Sequence, residues 1–101
     1  MGAASETRTG TNSQVKPGEP GRFRVLMHND DYTTMEFVVQ VLQKVFHKTT
    51  TEANQIMLSI HFRGVGVCGL YPYDIAETKV DRVHVLAREA GFPLRCSLEG
   101  E

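Results

Sequence analysis

The sequence has no excess of positive charge, no long apolar run and few cysteines, and each of these absences excludes a class of protein. It holds 11 Lys and Arg against 12 Asp and Glu, for a formal net charge of −1, which leaves no electrostatic footprint for nucleic acid. Its apolar runs are far shorter than the roughly 20 residues that span a membrane, and its polar N-terminal residues do not resemble a signal peptide. We therefore expect a cytoplasmic protein that binds neither nucleic acid nor a membrane.

The sequence also lacks the residue patterns that metal sites and nucleophilic active sites require. Cys68 and Cys96 are far apart, lack CxxC spacing and lie in apolar, strand-like stretches, so we predict buried, reduced thiols. The four histidines form no HxxxH, HxH or HxxE pair on one element, and no serine or cysteine stands in a nucleophile motif. We predict no metal, no cofactor and no catalytic residue, with His28, His47 and His84 facing solvent.

The first residues differ in composition from the rest of the chain. Residues 1–21 contain only Met1 and Val15 as sizeable apolar residues and are rich in Gly, Thr, Ser and Pro. Such a segment cannot bury enough surface to offset its chain entropy. We predict a disordered N-terminal extension over 1–21 and a single folded domain over 22–101, since 101 residues suit one domain.

Hydrophobic periodicity divides the folded part into six elements. They follow the order β-α-α-β-α-β, with strands over 23–28, 65–71 and 94–99 and helices over 34–47, 50–62 and 74–90. This order predicts a small α+β sandwich, in which a three-stranded, mainly antiparallel sheet carries three helices on one face. Capping boxes, in which Ser, Thr or Asp stands three residues before Glu, are predicted at Thr33–Glu36, Thr49–Glu52 and Asp74–Glu77.

The stretch Asn29-Asp30-Asp31 is the most distinctive part of the chain. It follows a strand and precedes a helix, where Asn and Asp are ordinary turn residues, but two carboxylates and an amide exceed what one cap needs. If the second helix packs on the first, His61 approaches this turn beside Met35 and Met57. Acceptors next to an apolar hollow suit a ligand with a cation beside a hydrophobe, such as an N-terminal amino acid. A capped turn beside a packed histidine explains the same residues without a ligand, so both interpretations stay open at this point.

Blocks of residues over roughly 22–100 carry a resemblance to a known family. They are Asn29 to Thr33 with Met35 to Val38, Met57-Leu58 with His61, Val67-Cys68-Gly69, Ala76 to Lys79, and Pro93-Leu94 with Cys96. With this spacing the sequence resembles the ClpS family of adaptor proteins. The resemblance implies a non-catalytic adaptor that recognises N-terminal Leu, Phe, Tyr or Trp and delivers the proteins that carry them to a Clp AAA+ unfoldase such as ClpA. It implies no cofactor, and we expect a monomer.

The resemblance also assigns roles to individual residues. Asn29, Asp31 and His61 are expected to hold the α-amino group, with Asp30 contributing less directly because adjacent residues of an extended turn point apart. The side-chain pocket is expected to be lined by Thr33, Met35, Val38, Met57, Ile60 and Leu94. Asp74 and Lys79 match positions that the family uses against the unfoldase N-domain, and residues 1–21 match the family's N-terminal extension, which engages the unfoldase.

Three positions depart from the family pattern. Thr34 replaces the usual proline and is expected at the first helical position, Asp74 replaces a glutamate found in some members, and His28 replaces an aliphatic residue close to the pocket. Two other functions compete with the adaptor: a protein-interaction module that uses its third helix without binding N-terminal residues, and a small hydrolase that uses Asp31 and His61. Only the adaptor requires a free amine on its ligand.

Overall fold

The computed structural model describes residues 21–101. The extension predicted over 1–21 lies almost wholly outside the described residues, so its disorder and its boundary stay predictions. Within the described part, the element order is the predicted β-α-α-β-α-β, and the α+β fold with a three-stranded sheet is confirmed.

The three strands form one antiparallel sheet with the first strand at its centre. They are β1 (Arg22–His28), β2 (Val65–Pro72) and β3 (Arg95–Gly100), in the order β2-β1-β3. Both pairings are antiparallel. Val25 lies opposite Gly69 while Leu26 lies opposite Val67, so the β1–β2 ladder contains a bulge-like irregularity.

Three helices complete the fold, each ended by a residue in the left-handed region. They are α1 (Met35–Phe46), α2 (Thr50–Arg63) and α3 (Tyr73–Ala90). His47 (φ 54°) ends α1, Gly64 (φ 89°) ends α2 and Gly91 (φ 80°) ends α3. Glycine adopts this conformation without the steric cost that other residues incur. None of these helices is long and apolar enough to cross a membrane.

The core lies between one face of the sheet and the helices. The sheet contributes Val25, Met27, Cys68 and Cys96. The helices contribute buried apolar residues, among them Val38, Val41, Leu42, Val45, Ala53, Ile60, Ala76, Val83 and Ala87. Both cysteines are free and buried, as predicted. A hydrogen bond to Cys96 and burial raise the pKa of the Cys68 thiol, so this thiol stays protonated.

Two of the three predicted capping boxes are wrong. The box at the start of α2 is present, with Thr49 and Glu52 bonding each other's backbone N–H. At α1 the cap is Thr34, one residue later than predicted, and its hydroxyl accepts from the N–H of Phe37. At α3 the helix begins at Tyr73 directly after Pro72 without a side-chain cap, so Asp74 lies inside the first turn rather than at its start.

Candidate functional site

The turn that connects β1 to α1 is organised by one carboxylate. Oδ1 of Asp30 accepts hydrogen bonds from the backbone N–H of Tyr32 (2.8 Å) and of Thr33 (2.7 Å), and Oδ2 accepts from the Thr33 hydroxyl (2.7 Å). An Asp side chain that bonds its own backbone two or three residues on replaces a backbone turn. Asp30 therefore fixes the conformation of the loop in which Asn29 and Asp31 lie.

The electrostatics of Asp30 agree with this role. Partial burial, the largest single influence, raises the pKa of this carboxyl, but the hydrogen bonds from Thr33 and Tyr32 together outweigh it and leave the pKa below its ordinary value. Hydrogen bonds to the charged form favour ionisation. Asp30 is thus ionised and bonded to its own loop, whereas exposed Asp31 makes no hydrogen bond with any residue of 21–101.

The end of α2 is joined to the same turn through the backbone. The N–H of Asn29 donates to the carbonyl of Gly64 (2.9 Å), which is the residue that ends α2. The strand that follows runs close under the helix: a Cβ added to Gly66 would lie 2.7 Å from Cγ1 of Ile60, well inside van der Waals contact. This close approach brings the last turn of α2, with His61, beside Asn29.

A cavity of about 260 Å³ opens where these elements meet. The residues that line it are Asn29, Asp30, Asp31, Thr33, Met35, Val38, Met57, Ile60 and His61, and we call it the turn pocket. Its polar side comes from the β1–α1 turn and His61, and its apolar side comes from the facing surfaces of α1 and α2. Val38 and Ile60 are buried, whereas Met35, the first residue of α1, is 44% exposed.

Nine of the ten residues predicted for ligand binding line this one cavity, although their roles in binding stay predictions. The exception is Leu94, which is 4% exposed and belongs to the core cluster rather than to the cavity lining. It lies one residue before β3. His28, expected close to the pocket, does not line it either.

The two predicted docking residues differ in environment. Asp74 is exposed, and its Oδ1 accepts from the N–H of Ile75 (3.1 Å). Lys79 is half-buried: its Nζ donates to the carbonyl of Val45 (2.7 Å) near the end of α1 and lies 5.1 Å from the ring centre of Tyr71. Lys79 is therefore less accessible to a partner than Asp74, because its ammonium caps α1.

Two of the three histidines expected to face solvent are partly buried in the fold. His28 Nε2 lies 2.7 Å from Oγ of Ser97, and burial, with Arg95 adding to it, lowers the pKa of His28. His84 on α3 accepts from the N–H of Cys96 (3.0 Å). Of these three, only His47 is exposed. Sequence spacing gave no signal for the His84 bond, since 12 residues separate its partners.

A second cavity beside the turn pocket had no counterpart among the predicted sites. It measures about 390 Å³ and is lined by Met35, Glu36, Val39, Gln40, Asn54 and Met57; we call it the Glu36 groove. The exposed positions of α1 are the one sequence feature that could have indicated this cavity. Within residues 21–101, no group of three or more His, Cys, Asp or Glu side chains is placed to hold a metal ion.

Comparison with known proteins identifies the family. The sequence model described as ATP-dependent Clp protease adaptor protein ClpS matches residues 18–97. The chain belongs to the ClpS family. Curated relatives named ATP-dependent Clp protease adapter protein ClpS include one from Desulfatibacillum aliphaticivorans, 57% identical over 91 residues, covering 90% of this chain and 88% of the relative. Another, from Oleidesulfovibrio alaskensis, is 62% identical over 81 residues, covering 80% of this chain and 78% of the relative. The protein is thus a ClpS-type adaptor of the Clp protease, which confirms the resemblance.

A solved structure of the same family is also similar. It is described as Agrobacterium tumefaciens ClpS2 bound to L-phenylalaninamide, with 40% identity and a TM-score of 0.79, and it covers 82% of this chain and 100% of that chain. At this identity, the ClpS family and its fold extend over nearly all the residues described above.

Proposed function

We propose that the turn pocket binds the first residue of substrate proteins that begin with Leu, Phe, Tyr or Trp, and that the protein delivers them to a Clp unfoldase such as ClpA. The observation that carries this proposal is the division of the pocket into a polar side and an apolar side. An N-terminal residue has the same division, because its ammonium group and its side chain leave the same carbon.

The polar side suits a primary amine. An ammonium group has three donors and no acceptor. Asn29, Asp31 and His61 offer an amide oxygen, a carboxylate and an imidazole nitrogen on the lining of one cavity. Asp31 is the better counter-ion of the two aspartates, because the carboxylate of Asp30 is already bonded to Tyr32 and Thr33. His61 can accept through the imidazole nitrogen that carries no proton.

The apolar side suits a large side chain of the first residue that is not branched at Cβ. An apolar cavity of about 150 Å³ is enough to hold benzene, and the turn pocket is about 260 Å³. Burying a Leu or Phe side chain contributes roughly 1.5–3 kcal/mol, similar to one charge-assisted hydrogen bond. The Agrobacterium protein bound to L-phenylalaninamide supports this pairing, since that molecule has both a free amine and a phenyl ring.

Delivery to the unfoldase rests on separate parts of the chain. Asp74 is exposed in the first turn of α3 and remains the better candidate for docking, because Lys79 has a structural bond to Val45. We expect that removing residues 1–21 leaves peptide binding intact and abolishes degradation by the unfoldase and its peptidase. Degradation at the full rate by the truncated protein would contradict a role for the extension.

The decisive experiment compares two peptides that differ only at the amine. One begins with free Phe, and the other is the same peptide with an acetylated N-terminus; binding is measured by titration calorimetry or fluorescence anisotropy. We expect the first peptide to bind tightly and the second to bind at least about a hundredfold more weakly. This difference is the cost of losing more than one charge-assisted bond. Equal binding of both peptides would contradict the adaptor and favour the protein-interaction module. Release of a cleaved product would favour the hydrolase.

Matched variants locate the site. Asp31→Asn and His61→Ala should each weaken the free-Phe peptide by about tenfold or more, the loss of roughly one such bond. Asp81→Asn removes the same charge from an exposed position of α3, and His47→Asn removes an exposed imidazole while tolerating the left-handed φ. Both controls should bind like the wild type, and near-native binding by Asp31→Asn and His61→Ala would rule out this amine site.

A further inference from the structure

One face of the sheet is turned away from the helices. Residues directly opposite each other in an antiparallel pair point to the same face, so the register of the two ladders defines this surface. Val25 and Met27 of β1 are fully buried on the helix side, and the residues that alternate with them form the outer side. We call this surface the outer sheet face. It has three rows across β2, β1 and β3, which are Val65, His28 and Arg95; Val67, Leu26 and Ser97; and Leu70, Arg24 and Glu99.

The β2 side of the outer sheet face is apolar although it is exposed. The solvated face of an antiparallel sheet normally carries polar side chains, yet Val65, Val67 and Leu70 are 37%, 50% and 37% exposed. β2 is an edge strand without any charged residue, so it lacks the charges that commonly protect an edge from other chains. Leu26 extends this apolar strip to the central strand. Such a strip indicates a surface that a partner covers.

The β3 side of the same face carries one charge of each sign. Arg95 and Glu99 are exposed and lie four residues apart on one strand, which separates them by about 13 Å, too far to pair with each other. Among residues 21–101, no acidic side chain forms a salt bridge with Arg95. Glu99 lies 3.6 Å from Arg24 (Oε1 to Nη1). The two ends of β3 therefore present opposite charges to a partner.

A second copy of this chain complements the apolar side about one two-fold axis. In an isologous dimer, the same patch of both copies meets. If the axis crosses the strands through Val67, Leu26 and Ser97, each strand lies against its own copy, and the two end rows change places. Val65 then lies against Leu70 of the second copy, so the apolar sides cover each other. This axis also keeps the strands of the two sheets nearly aligned, as packed sheets prefer.

The same axis brings opposite charges together. Arg95 of each copy faces Glu99 of the other, so this pairing occurs twice. His28 faces Arg24 with little repulsion, because burial, with Arg95 adding to it, lowers the pKa of His28 and keeps its imidazole neutral at pH 7. An axis along the strands would instead place the charged β3 side on the apolar β2 side, where charges lose water without gaining partners.

We propose that the outer sheet face is a self-association surface, through which two copies of the protein form a two-fold symmetric dimer in place of the monomer expected from the family resemblance. Three strands with five residues each cover about 14 Å by 17 Å, less than the roughly 800 Å² that each partner contributes to a standard interface. We therefore expect a weak dimer with a dissociation constant of about 0.1–1 mM. The turn pocket lies between α1 and α2, on the helix side of the sheet, and stays open in both copies.

Sedimentation equilibrium of the full-length protein between about 20 μM and about 2 mM measures this dimer. The average mass of the wild type should rise from one chain toward two. Arg95→Glu should raise the dissociation constant by about tenfold or more, because it replaces two attractive pairs by two repulsive ones. Combining Arg95→Glu with Glu99→Arg reverses both charges and should bring the constant back to within about threefold of the wild type.

Val67→Lys tests the apolar side, because Val67 meets its own copy at the axis and two ammonium groups would then face each other. It should abolish dimerisation, whereas Leu58→Lys, at a similarly exposed position of α2 (45% against 50%), should leave it unchanged. Thermal denaturation checks that each variant is folded, and if Val67→Lys does not fold, the charge-reversal pair decides alone.

Three results would overturn the proposal. The first is a wild type that stays monomeric up to about 2 mM, which would leave the outer sheet face to residues 1–21 or to the unfoldase. The second is a dimer that survives folded Val67→Lys. The third is a double charge reversal that dimerises no better than Arg95→Glu alone.

Discussion

The two strand-to-helix junctions of this protein begin their helices in different ways. Between β1 and α1 the chain runs through residues 29–34, where Asp30 accepts three hydrogen bonds and Thr34 caps the helix. Between β2 and α3 there is no intervening residue: Pro72 ends the strand, Tyr73 begins the helix, and no side chain caps it. The first junction is thus held in one conformation by side chains, and the second is set by backbone geometry.

This difference supports the separate roles that we propose for the two junctions, ligand binding at the first and docking at the second. At the first junction, the fixed loop directs Asn29 and Asp31 to one cavity before any ligand arrives, and such preorganisation lowers the entropic cost of binding. At the second, Asp74 accepts a single hydrogen bond from its neighbour's N–H and stays exposed, so its carboxylate remains available to a partner. We therefore expect Asp30 and Asp74 to have different roles, and substitutions can tell these roles apart.

The largest expected effect is that of Asp30→Ala. Removing its carboxylate leaves the N–H groups of Tyr32 and Thr33 without their acceptor, which should lower the free energy of unfolding by about 2 kcal/mol. Because Asn29 and Asp31 lose their fixed positions, affinity for a free-Phe peptide should fall by about tenfold or more. Urea denaturation and peptide titration measure the two effects.

Asp74→Ala is the matched control at the other junction. It should change stability by less than about 0.5 kcal/mol, as expected for an exposed position, and leave peptide affinity unchanged. If Asp30→Ala bound the peptide as the wild type does, the loop would not need its aspartate, and preorganisation of this junction would be refuted.

The sequence predicted the strands and helices well, because they depend on strong local patterns. Periodicity located all three strands and all three helices within about two residues. Nine residues assigned to ligand binding line one cavity, since they cluster at the end of β1, the start of α1 and the end of α2. Leu94 is a core residue outside this cavity lining, and its contact with a ligand stays a prediction, because sequence does not tell a core side chain from one at the base of a pocket.

The errors in predicted side-chain contacts share a physical origin. Several hydrogen-bonding partners lie near the same side chain, and the sequence does not show which of them it bonds. Thr33 and Thr34 both precede α1, and a local pattern cannot tell which one caps it; the Thr33 hydroxyl instead donates to Asp30. Lys79 and His84 bond backbone groups of α1 and β3, and these contacts exist only after the helices pack on the sheet. Such long-range bonds have no counterpart in spacing along the chain.

Met35, the first residue of α1, should control selectivity. It lines the turn pocket and is 44% exposed, and we expect a second heavy atom on the Cβ of a bound residue, as in Ile and Val, to crowd it. We expect the wild type to bind N-terminal Phe and Leu more tightly than Ile and Val. Met35→Ala should raise Ile and Val binding by about tenfold, or ~1.4 kcal/mol, with Phe binding little changed.

Tyr73→Ala provides the comparison, because Tyr73 is the first residue of α3 and is similarly exposed, 49% against 44% for Met35. It should leave the ratio of Phe to Val binding at its wild-type value. A parallel loss of all four ligands in Met35→Ala, with a lower melting temperature, would show that Met35 acts only as a packing residue.

A smaller effect is expected at the cap of α1. Thr34→Ala removes the acceptor of the Phe37 N–H and should cost about 1 kcal/mol of unfolding free energy. Thr34→Pro loses the same bond, but the φ of −74° at this residue suits proline, and stiffening the unfolded chain returns about 0.4–1 kcal/mol. Denaturation should therefore rank wild type and Thr34→Pro close together above Thr34→Ala; the reverse order for the two variants would mean that the backbone at this cap strains a proline.

The smallest effect is the acid sensitivity of the β1–α1 junction. Hydrogen bonds from Thr33 and Tyr32 hold the pKa of Asp30 below its ordinary value of 3.8 despite the opposing influence of burial. A carboxyl with a lower pKa in the folded state adds stability above its unfolded pKa, and this contribution disappears as the pH falls through the folded value. The stability difference between the wild type and Asp30→Asn should therefore be constant above about pH 5 and shrink below 3.8.

Thr33→Val removes the hydroxyl donor to Oδ2 of Asp30, so the free energy of unfolding of this variant should depend less on pH in the acid range than that of the wild type. Urea denaturation between pH 6 and about pH 2.5 measures this free energy for all three proteins. A difference that stays constant through this acid range would show that the three hydrogen bonds do not favour the ionised carboxylate of Asp30.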